Sequence, residues 1–489
     1  MNQVELRPAH LDDWLDTLPY TETDHCLRAL ATGLRRTAEA AVKPAQRVEL
    51  MTLYWPRYLY LLNSRIRSTG LGATQIPAQR YSQIAMLRQI TTSIADGSRI
   101  GAHEMLSQRS LFGSPKRSGR AMLLAATAYA HSLILGYQEY LGATPDLWKA
   151  MHQLVDDATL LKLVDELYED PDGAGDTNTT IARVYAAVSA CAVADPHKLE
   201  ANDVWQVYEL ARRATEPPVV KPFDPAARPN SSFVIDMRRA SAPMSYSKVS
   251  VSQVTKFLRT LDCSALARQC QRQLAQAQAR GAQQKLMRDS LSPRLLDYLV
   301  QAWSATPVRR YARQSASGRI LLVAGLLNTH AELSSAHGTD VAAENSWDLI
   351  NENPGGRMVC TRSVPKDRIR VGDVVILRGD SENRWTVGVV AWLLEDAGGT
   401  VKAGIQHLAR AARAVRLRAL DGPEILTTPR PGLILGPLSP GGDHTILTSP
   451  GLFRPEQILE IIAGDAAQTI TAGTALKSTM AFDQFNYRA

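Results

Sequence analysis

The apolar positions in the first 215 residues recur with the spacing of amphipathic helices. Leu27, Leu30, Ala31, Leu34 and Ala38 step along one face, and similar runs follow with the same helical period. Breaks that contain glycine or proline separate the runs, at residues 70–77, 113–119, 141–145 and 170–178. We predict an all-helical domain over residues 1–215. Helices joined by short loops commonly hold a partner or a second copy of the chain.

Two local signals refine this domain. The longest charge-free stretch, Ala121 to Gln138, is rich in alanine and contains His131. That composition predicts a buried core helix rather than a membrane span. A later helix should begin near Ile181, because a loop with strong turn residues precedes it. Three side chains are available to cap that helix: Thr177, Asn178 and Thr179.

A proline-rich segment over residues 216–232 marks the main boundary. Its five prolines preclude a helix and predict an extended, fairly stiff linker. Residues 233–304 then mix strand-like alternation with helical periodicity, as where Leu266, Cys270 and Leu274 step along one helix face. We assign this segment as a mixed strand and helix connector.

Short strands are predicted between residues 305 and 420. The segments ILLVAGLL, VGDVVILR, RWTVGVVAWLL and VKAGIQHLA are rich in β-branched and aromatic residues. Glycine-bearing turns, NENPGG and EDAGGT, separate strands of this run. The pattern predicts a small antiparallel barrel or sandwich. Residues 421–489 contain further short apolar pieces with proline and glycine between them, and predict a C-terminal β-element.

Candidate chemistry concentrates at the start of this β-region. Arginines precede the first strand, and an arginine fork can form paired hydrogen bonds with guanine or phosphate. The turn NENPGG adds amide groups, and its glycines let a ligand approach the backbone closely. The same residues are also compatible with a solvated linker and an ordinary hairpin turn. The candidate residues are Arg309, Arg310, Arg313, Asn351, Asn353, Gly355 and Gly356.

At these residues the chain resembles the PilZ family of bacterial cyclic di-GMP receptors. That family carries an RxxxR pair and a [D/N]xSxxG turn. Arg309 and Arg313 match the pair, and Asn351, Asn353 and Gly356 fill the turn in order, with Asn353 in place of serine.

Two further segments look PilZ-like, the W-x-x-G-x-x-x-W run from Trp385 to Trp392 and the A-G-I strand from Ala403 to Ile405. The resemblance implies a PilZ-like antiparallel β-barrel over residues 305–420 that binds cyclic di-GMP through the seven candidate residues. The expected fold class is therefore α+β multidomain: the all-helical domain, the PilZ-like barrel and the C-terminal β-element.

The absence of several sequence motifs argues against other functional classes of protein. No phosphate loop, GxGxxG, HExxH or nucleophile elbow occurs, so we do not expect an enzyme, a metal or a cofactor. Five cysteines without CxxC spacing indicate neither a zinc site nor a disulfide framework. With no secretory signal at the N-terminus and no transmembrane segment, we expect a cytoplasmic protein.

The net charge of +7 includes a run from Lys402 to Arg418 with five cations and no acid. Such a run suits an anionic ligand, nucleic acid, a membrane surface or simply solvent. We predict a receptor that couples cyclic di-GMP binding to a protein partner, or to self-association, through the helical domain. The alternative is a degenerate PilZ-like scaffold that acts only through protein–protein interaction. Nucleic acid is not an expected partner, because an RNA-binding barrel would need exposed aromatics for stacking.

Overall fold

Fifteen ranges of the chain are described by the computed structural model. They are residues 6–68, 77–107, 115–142, 144–173, 177–224, 232–246, 256–280, 291–304, 312–335, 346–362, 369–380, 382–420, 428–439, 441–464 and 466–488. The chain divides into two units. The first comprises Met1–Pro196 and Asn202–Pro307, and the second comprises His197–Ala201 and Val308–Ala489.

The first unit is built mainly from helices. Several begin with proline at the first helical position, where a missing N–H breaks no helical hydrogen bond. The helices are α1 (Pro8–Asp16), α2 (Thr23–Glu39), α3 (Pro44–Ser68), α4 (Pro77–Ser107), α5 (Pro115–Gln138), α6 (Pro145–Leu160), α7 (Ile181–Val193), α8 (Ala201–Arg213), α9 (Ser264–Arg280) and α10 (Pro293–Ser304). Every residue of α5 from Ala121 to Gln138 is buried, which confirms a core helix. In the described ranges, no helix has the length and apolarity needed to span a membrane.

Two short strands interrupt the helical region. β1 (Tyr168–Glu169) pairs with β2 (Asn178–Thr179) just before α7. The N-cap of α7 is Thr180, whose hydroxyl accepts a hydrogen bond from the Arg183 backbone N–H at 3.0 Å. The sequence placed the cap among residues 177–179. That assignment was wrong because Asn178 and Thr179 are used by the strand, so the next residue caps the helix.

A four-stranded sheet follows, in the order β3-β6-β4-β5. Its strands are β3 (Val219–Pro222), β4 (Ser232–Asp236), β5 (Met244–Ser245) and β6 (Leu258–Asp262). β3 lies within the segment that the sequence assigned as an extended, fairly stiff linker, and it pairs with β6 in antiparallel register. Proline is tolerated there because β3 is an edge strand.

The second unit begins with a six-stranded antiparallel barrel. Its elements are β7 (Gln314–Ser315), β8 (Arg319–Ala324), α11 (Leu326–Ser334), β9 (Ser346–Asn353), β10 (Gly356–Thr361), β11 (Val374–Gly379), β12 (Thr386–Glu395) and β13 (Val401–Ala409). The order β10-β13-β12-β11-β8-β9 closes because β9 also pairs with β10, and β7 adds to β9 outside the ring. The segment ILLVAGLL is not one strand as the sequence suggested. Gly325, at φ +88°, ends β8 and leads into α11.

A second closed barrel completes the chain. Its strands are β14 (Ala412–Ala419), β15 (Arg430–Leu435), β16 (Thr445–Thr448), β17 (Ile458–Ala463), β18 (Ala466–Ser478) and β19 (Asp483–Arg488), in the order β14-β15-β16-β19-β18-β17. This confirms the C-terminal β-element. It starts at β14, before residue 421, because β14 pairs with β15 and β17 of this barrel. The two barrels share one hydrophobic cluster, in which Val374 and Ile376 of the first pack with Leu447 and Phe482 of the second.

Candidate functional site

A tight turn joins β9 to β10 at the rim of the first barrel. The Asn353 Oδ1 accepts a hydrogen bond from the Gly355 backbone N–H at 2.9 Å, as in an Asx turn. A Cβ atom at Gly356 would collide with the carbonyl oxygen of Ile405, so no larger residue fits there without movement of the backbone. The conformation of the turn is therefore specified by the Asn353 side chain and by the absence of a side chain at Gly356.

Asn351 and Asn353 lie on the outer face of the barrel. Residues alternate between the two faces of a strand, and Val359, Ala403 and Ile405 fill the interior. The Asn351 Nδ2 donates to Met358 Sδ at 3.2 Å across the β9–β10 pair. Directly opposed residues continue this outer face as one cross-strand row: Ser315, Asn351, Met358, Gly404 and Trp392.

Trp392 and Gly404 explain why the tryptophan run and the A-G-I strand occur together. The two residues are opposed across the β12–β13 pair. A Cβ at Gly404 would collide with the Trp392 indole ring, so the ring lies directly against the backbone of β13. Trp392 remains partly exposed. It gives the outer face an aromatic surface in the same row as Asn351 and Met358.

Arg313 is brought to the same end of the barrel as the turn. It is exposed, immediately before β7, where Gln314 opposes Glu352 and Ser315 opposes Asn351. Continuing this antiparallel register by one residue places Arg313 opposite Asn353. Arg313 forms no ion pair with any described residue, which leaves its guanidinium available to a ligand. Arg309 and Arg310, which the sequence also placed in the site, lie outside the described residues.

A partly buried ion pair lies beside the turn. Arg357 donates through Nη1 to Glu382 Oε2 at 3.0 Å and through Nη2 to the other oxygen. Glu352 lies 3.4 Å from Arg357 Nε. The bond to Glu382 raises the pKa of Arg357, and the bond from Arg357 lowers the pKa of Glu382. Because Glu382 also accepts from the Gly379 backbone N–H at 2.9 Å, the pair ties β10 to the β11–β12 turn.

His407 supports the turn from β13. Its backbone N–H donates to the Gly355 carbonyl at 3.0 Å. Its side chain forms a hydrogen bond with the Pro354 backbone, which offers only a carbonyl oxygen. The Nε2 atom is buried and has no partner among the described residues, so Nδ1 carries the donated proton. Burial, with the nearby Arg357 charge, lowers the pKa of His407. The imidazole is therefore neutral at neutral pH.

The run from Lys402 to Arg418 divides into paired and unpaired cations. Lys402 lies 3.1 Å from Asp396, and Arg418 bonds to Glu460 at 2.9 Å through Nε. The remaining cations are exposed and form no ion pair within the described ranges: Arg410, Arg413 and Arg416. The same ranges contain no group of three His, Cys, Asp or Glu side chains arranged to hold a metal ion.

Arg357, Glu382 and His407 were missed at the sequence level. They are separated along the chain and match no motif, so only the pairing of β10, β13 and the β11–β12 turn shows that they belong together. Gln406 and Gly356 are opposed in that pairing. This register is the signal that could have placed His407 beside the turn, had the strand alignment been known.

The barrel, the turn and the preceding arginine define a PilZ-domain protein. Comparison with protein families agrees. Residues 9–217 match the family described as cyclic-di-GMP receptor FimW, N-terminal domain, and residues 232–344 and 334–414 match cyclic-di-GMP receptor FimW, middle PilZ domain. The chain belongs to the FimW family of cyclic-di-GMP receptors. No curated protein and no solved structure matches it.

Proposed function

We propose that this protein binds cyclic di-GMP on the outer face of β7, β9 and β10 and transmits the bound state to a protein partner held by the helical region. The observation that carries the proposal is the register of β7 on β9, which brings Arg313 to the Asn353 turn. The Arg313 guanidinium, which forms no ion pair with a described residue, and the two carboxamides then face the same outer surface of the barrel.

The available donors and acceptors suit a guanine nucleotide. The Arg313 fork can form two parallel bonds with guanine O6 and N7 or with a phosphate. Asn353 uses Oδ1 within the turn and keeps Nδ2 as a donor. Asn351 uses Nδ2 on a weak sulfur acceptor and keeps Oδ1 for a guanine N–H. The partly exposed Trp392 ring offers a surface on which a base could stack.

The change from serine to asparagine at position 353 is compatible with an active site. The Asn353 side chain supplies the acceptor that closes the turn on the Gly355 N–H, a bond that a serine hydroxyl can also accept. The backbone at Gly355 and Gly356 therefore keeps its shape. This favours a binding site over a degenerate scaffold in which the turn has lost its role.

The position of the arginines suggests how binding is transmitted. Residues 305–313 connect the end of α10, at Ser304, to β7. A ligand held both by Arg313 and by the turn would restrict this connecting segment. Binding would then shift the equilibrium between two arrangements of this segment. The size of the shift is limited by the difference between the affinities of the ligand for the two arrangements.

We place this receptor in the cytoplasm and assign it no catalytic step. All five cysteines are free, and Cys26, Cys191, Cys263 and Cys270 are buried. Free thiols of this kind are compatible with a reducing compartment.

Calorimetric titration of the full chain with cyclic di-GMP tests the proposal, with GTP and cyclic AMP as controls. Saturable binding of cyclic di-GMP alone is the expected result. Hydrogen exchange of residues 305–313, measured with and without ligand, tests the transmission step and should slow on binding. A folded protein that binds none of the three nucleotides would instead be a PilZ-like scaffold.

A further inference from the structure

A lysine of the C-terminal barrel reaches the outer face of the first barrel. The Lys477 Nζ donates to the Gln406 Oε1 at 2.9 Å. Lys477 lies on β18 and Gln406 lies on β13, and both residues belong to the second unit. The bond brings a cation of the second barrel to the sheet that carries the Asn353 turn.

Strand register places Gln406 in line with this turn. Asn353 opposes Gly356 across the β9–β10 pair, and Gly356 opposes Gln406 across the β10–β13 pair. Because directly opposed residues share one face of a sheet, the Gln406 side chain lies on the same outer face as Asn353. Adjacent strands are about 4.8 Å apart, so roughly 10 Å separates the backbones of Asn353 and Gln406. We call Asn353, Gly356 and Gln406 the turn row.

The turn row continues directly to the contact between the two barrels. Gln406 opposes Val389 across the β12–β13 pair. Val389 is 1% exposed and belongs to the hydrophobic cluster that includes Leu447 and Phe482 of the second barrel. The second barrel therefore packs at one end of the turn row, and Lys477 bonds to Gln406 at that end.

The shape of β18 directs Lys477 away from its own barrel. β18 pairs with β17 over residues 466–471 and with β19 over residues 471–478. The second part contains register shifts between Ala472 and Ala475 and between Ala475 and Lys477. Such bulges bend a strand and change the direction of its side chains. Lys477 remains partly exposed, so its ammonium is accessible to a solute on the outer face.

Cations lie at both ends of the turn row. The register of β7 on β9 brings Arg313 to Asn353 at one end, and Lys477 bonds to Gln406 at the other. Gly356 has no side chain and leaves the centre of the row low. A ligand that lies along the row would meet a positive charge at each end. Cyclic di-GMP suits this arrangement because it carries two separate phosphates, and an ammonium is a compact point charge that binds phosphate well.

We propose that Lys477 binds a phosphate of the cyclic dinucleotide held by the Asn353 turn, so that the two barrels share one ligand site. This inference rests on the proposed function and adds the C-terminal barrel to its site. An ammonium has three N–H donors, so Lys477 can bond to Gln406 and to a phosphate oxygen at the same time. The Gln406 side chain acts as a positioning group that holds the ammonium at the row.

Calorimetric titration of the full chain with cyclic di-GMP tests the assignment of Lys477. Lys477→Gln should weaken binding roughly tenfold, as expected for the loss of one charge-assisted hydrogen bond. Lys477→Arg should keep most of the affinity of the parent, because a guanidinium also carries a positive charge and several donors. The midpoint of thermal unfolding should stay the same in both variants, since the bond to Gln406 is exposed.

A salt series distinguishes a phosphate contact from mechanical support of the turn. Added salt screens the attraction between exposed charges. The affinity of Lys477→Gln should therefore fall less with added salt than the affinity of the parent. A variant that loses the same factor in affinity at every salt concentration would show that Lys477 only supports the turn, and would overturn the phosphate contact.

The matched control is Arg454→Gln, which removes one exposed cation from the same barrel and should bind as the parent does. If Arg313→Ala weakens binding and Lys477→Gln does not, the second barrel lies outside the site. That result overturns the shared site and leaves the proposed function intact. A folded parent chain that does not bind cyclic di-GMP would instead overturn the proposed function, and the assignment of Lys477 with it.

Discussion

The backbone N–H of His407 donates to the carbonyl oxygen of Gly355 at 3.0 Å, so one residue of β13 fixes the turn that carries Asn353. The His407 side chain adds a bond to Pro354. We expect His407→Phe to weaken cyclic di-GMP binding by about 0.5–1.5 kcal/mol, the usual contribution of one hydrogen bond. His407→Asn should bind as the parent does, because an asparagine Nδ2 can replace the donating Nδ1. Calorimetric titration measures both variants.

The pH dependence of folding stability distinguishes the hydrogen-bonding role of His407 from simple packing of its ring. Because the pKa of His407 is lowered in the folded protein, its contribution to stability is present above the unfolded value near 6.5. It is lost as the pH falls through the folded value. The His407→Asn variant should lose less stability than the parent between about pH 7 and pH 5. Equal losses of stability in the parent and in His407→Asn would contradict the assignment of a lowered pKa to His407.

Arg313 should contribute binding energy without contributing to the fold. Arg313→Ala should reduce the affinity for cyclic di-GMP by about 1–3 kcal/mol, as expected for one bidentate contact, because the side chain is exposed and forms no ion pair with described residues. Arg313→Lys should recover little of the lost affinity, since an ammonium cannot form the paired hydrogen bonds. The control is Arg454→Ala, an exposed cation of the C-terminal barrel. Equal affinities for Arg313→Ala and the parent would exclude this arginine from the site.

Asn353 distinguishes a receptor from a degenerate scaffold. If the site binds ligand, Asn353→Ser should bind about as well as the parent, since serine can close the same turn. Asn351→Ala should weaken binding by about 0.5–1.5 kcal/mol. Titration of the two variants beside the parent measures these effects. If Asn353→Ser binds cyclic di-GMP and the parent does not, the asparagine has abolished the site. If neither protein binds while the barrel remains folded, only the scaffold hypothesis is left.

Much of the fold could be predicted because strand composition and turn residues act locally. The strands around the Asn351 turn and the helix containing His131 follow from their own residues. The start of α11 at Leu326 could not be predicted, since an apolar run looks the same whether it continues as a strand or becomes a helix after Gly325. The residue at which the first barrel ends could also not be predicted. The residues of β14 resemble those of the preceding strands in composition, but β14 pairs with β15 and β17. Likewise, the role of His407 depends on strand register, which composition does not determine.

Asp373 should make the folded protein less stable at neutral pH. Burial raises its pKa from 3.8 to about 6, with a further contribution from Glu200, although Arg370 opposes the shift. Its stabilising contribution is therefore complete below about pH 4 and is lost as the pH rises through 6. Asp373→Asn should raise the free energy of unfolding at about pH 8 by about 1–3 kcal/mol. The amide keeps an acceptor for the Arg370 N–H, which donates to Asp373 Oδ2 at 2.7 Å.

Urea unfolding at about pH 5 and pH 8 measures this effect. The matched control is Asp380→Asn, because Asp380 is exposed in the same barrel. Asp380→Asn should leave unchanged the difference between the free energies of unfolding measured at the two pH values. An Asp373→Asn protein with the same pH dependence as the parent would contradict the assignment.

The hydrophobic cluster that Val374 and Ile376 share with Leu447 and Phe482 has a consequence for cooperativity. Neither barrel can lose its packing without exposing apolar surface of the other, so the two should melt together in a single calorimetric transition. The family match to the PilZ domain ends at residue 414, but this is not a boundary of independent stability. A fragment ending at residue 411 would keep every strand of the first barrel and would lose the apolar surface of the second barrel that covers Val374 and Ile376.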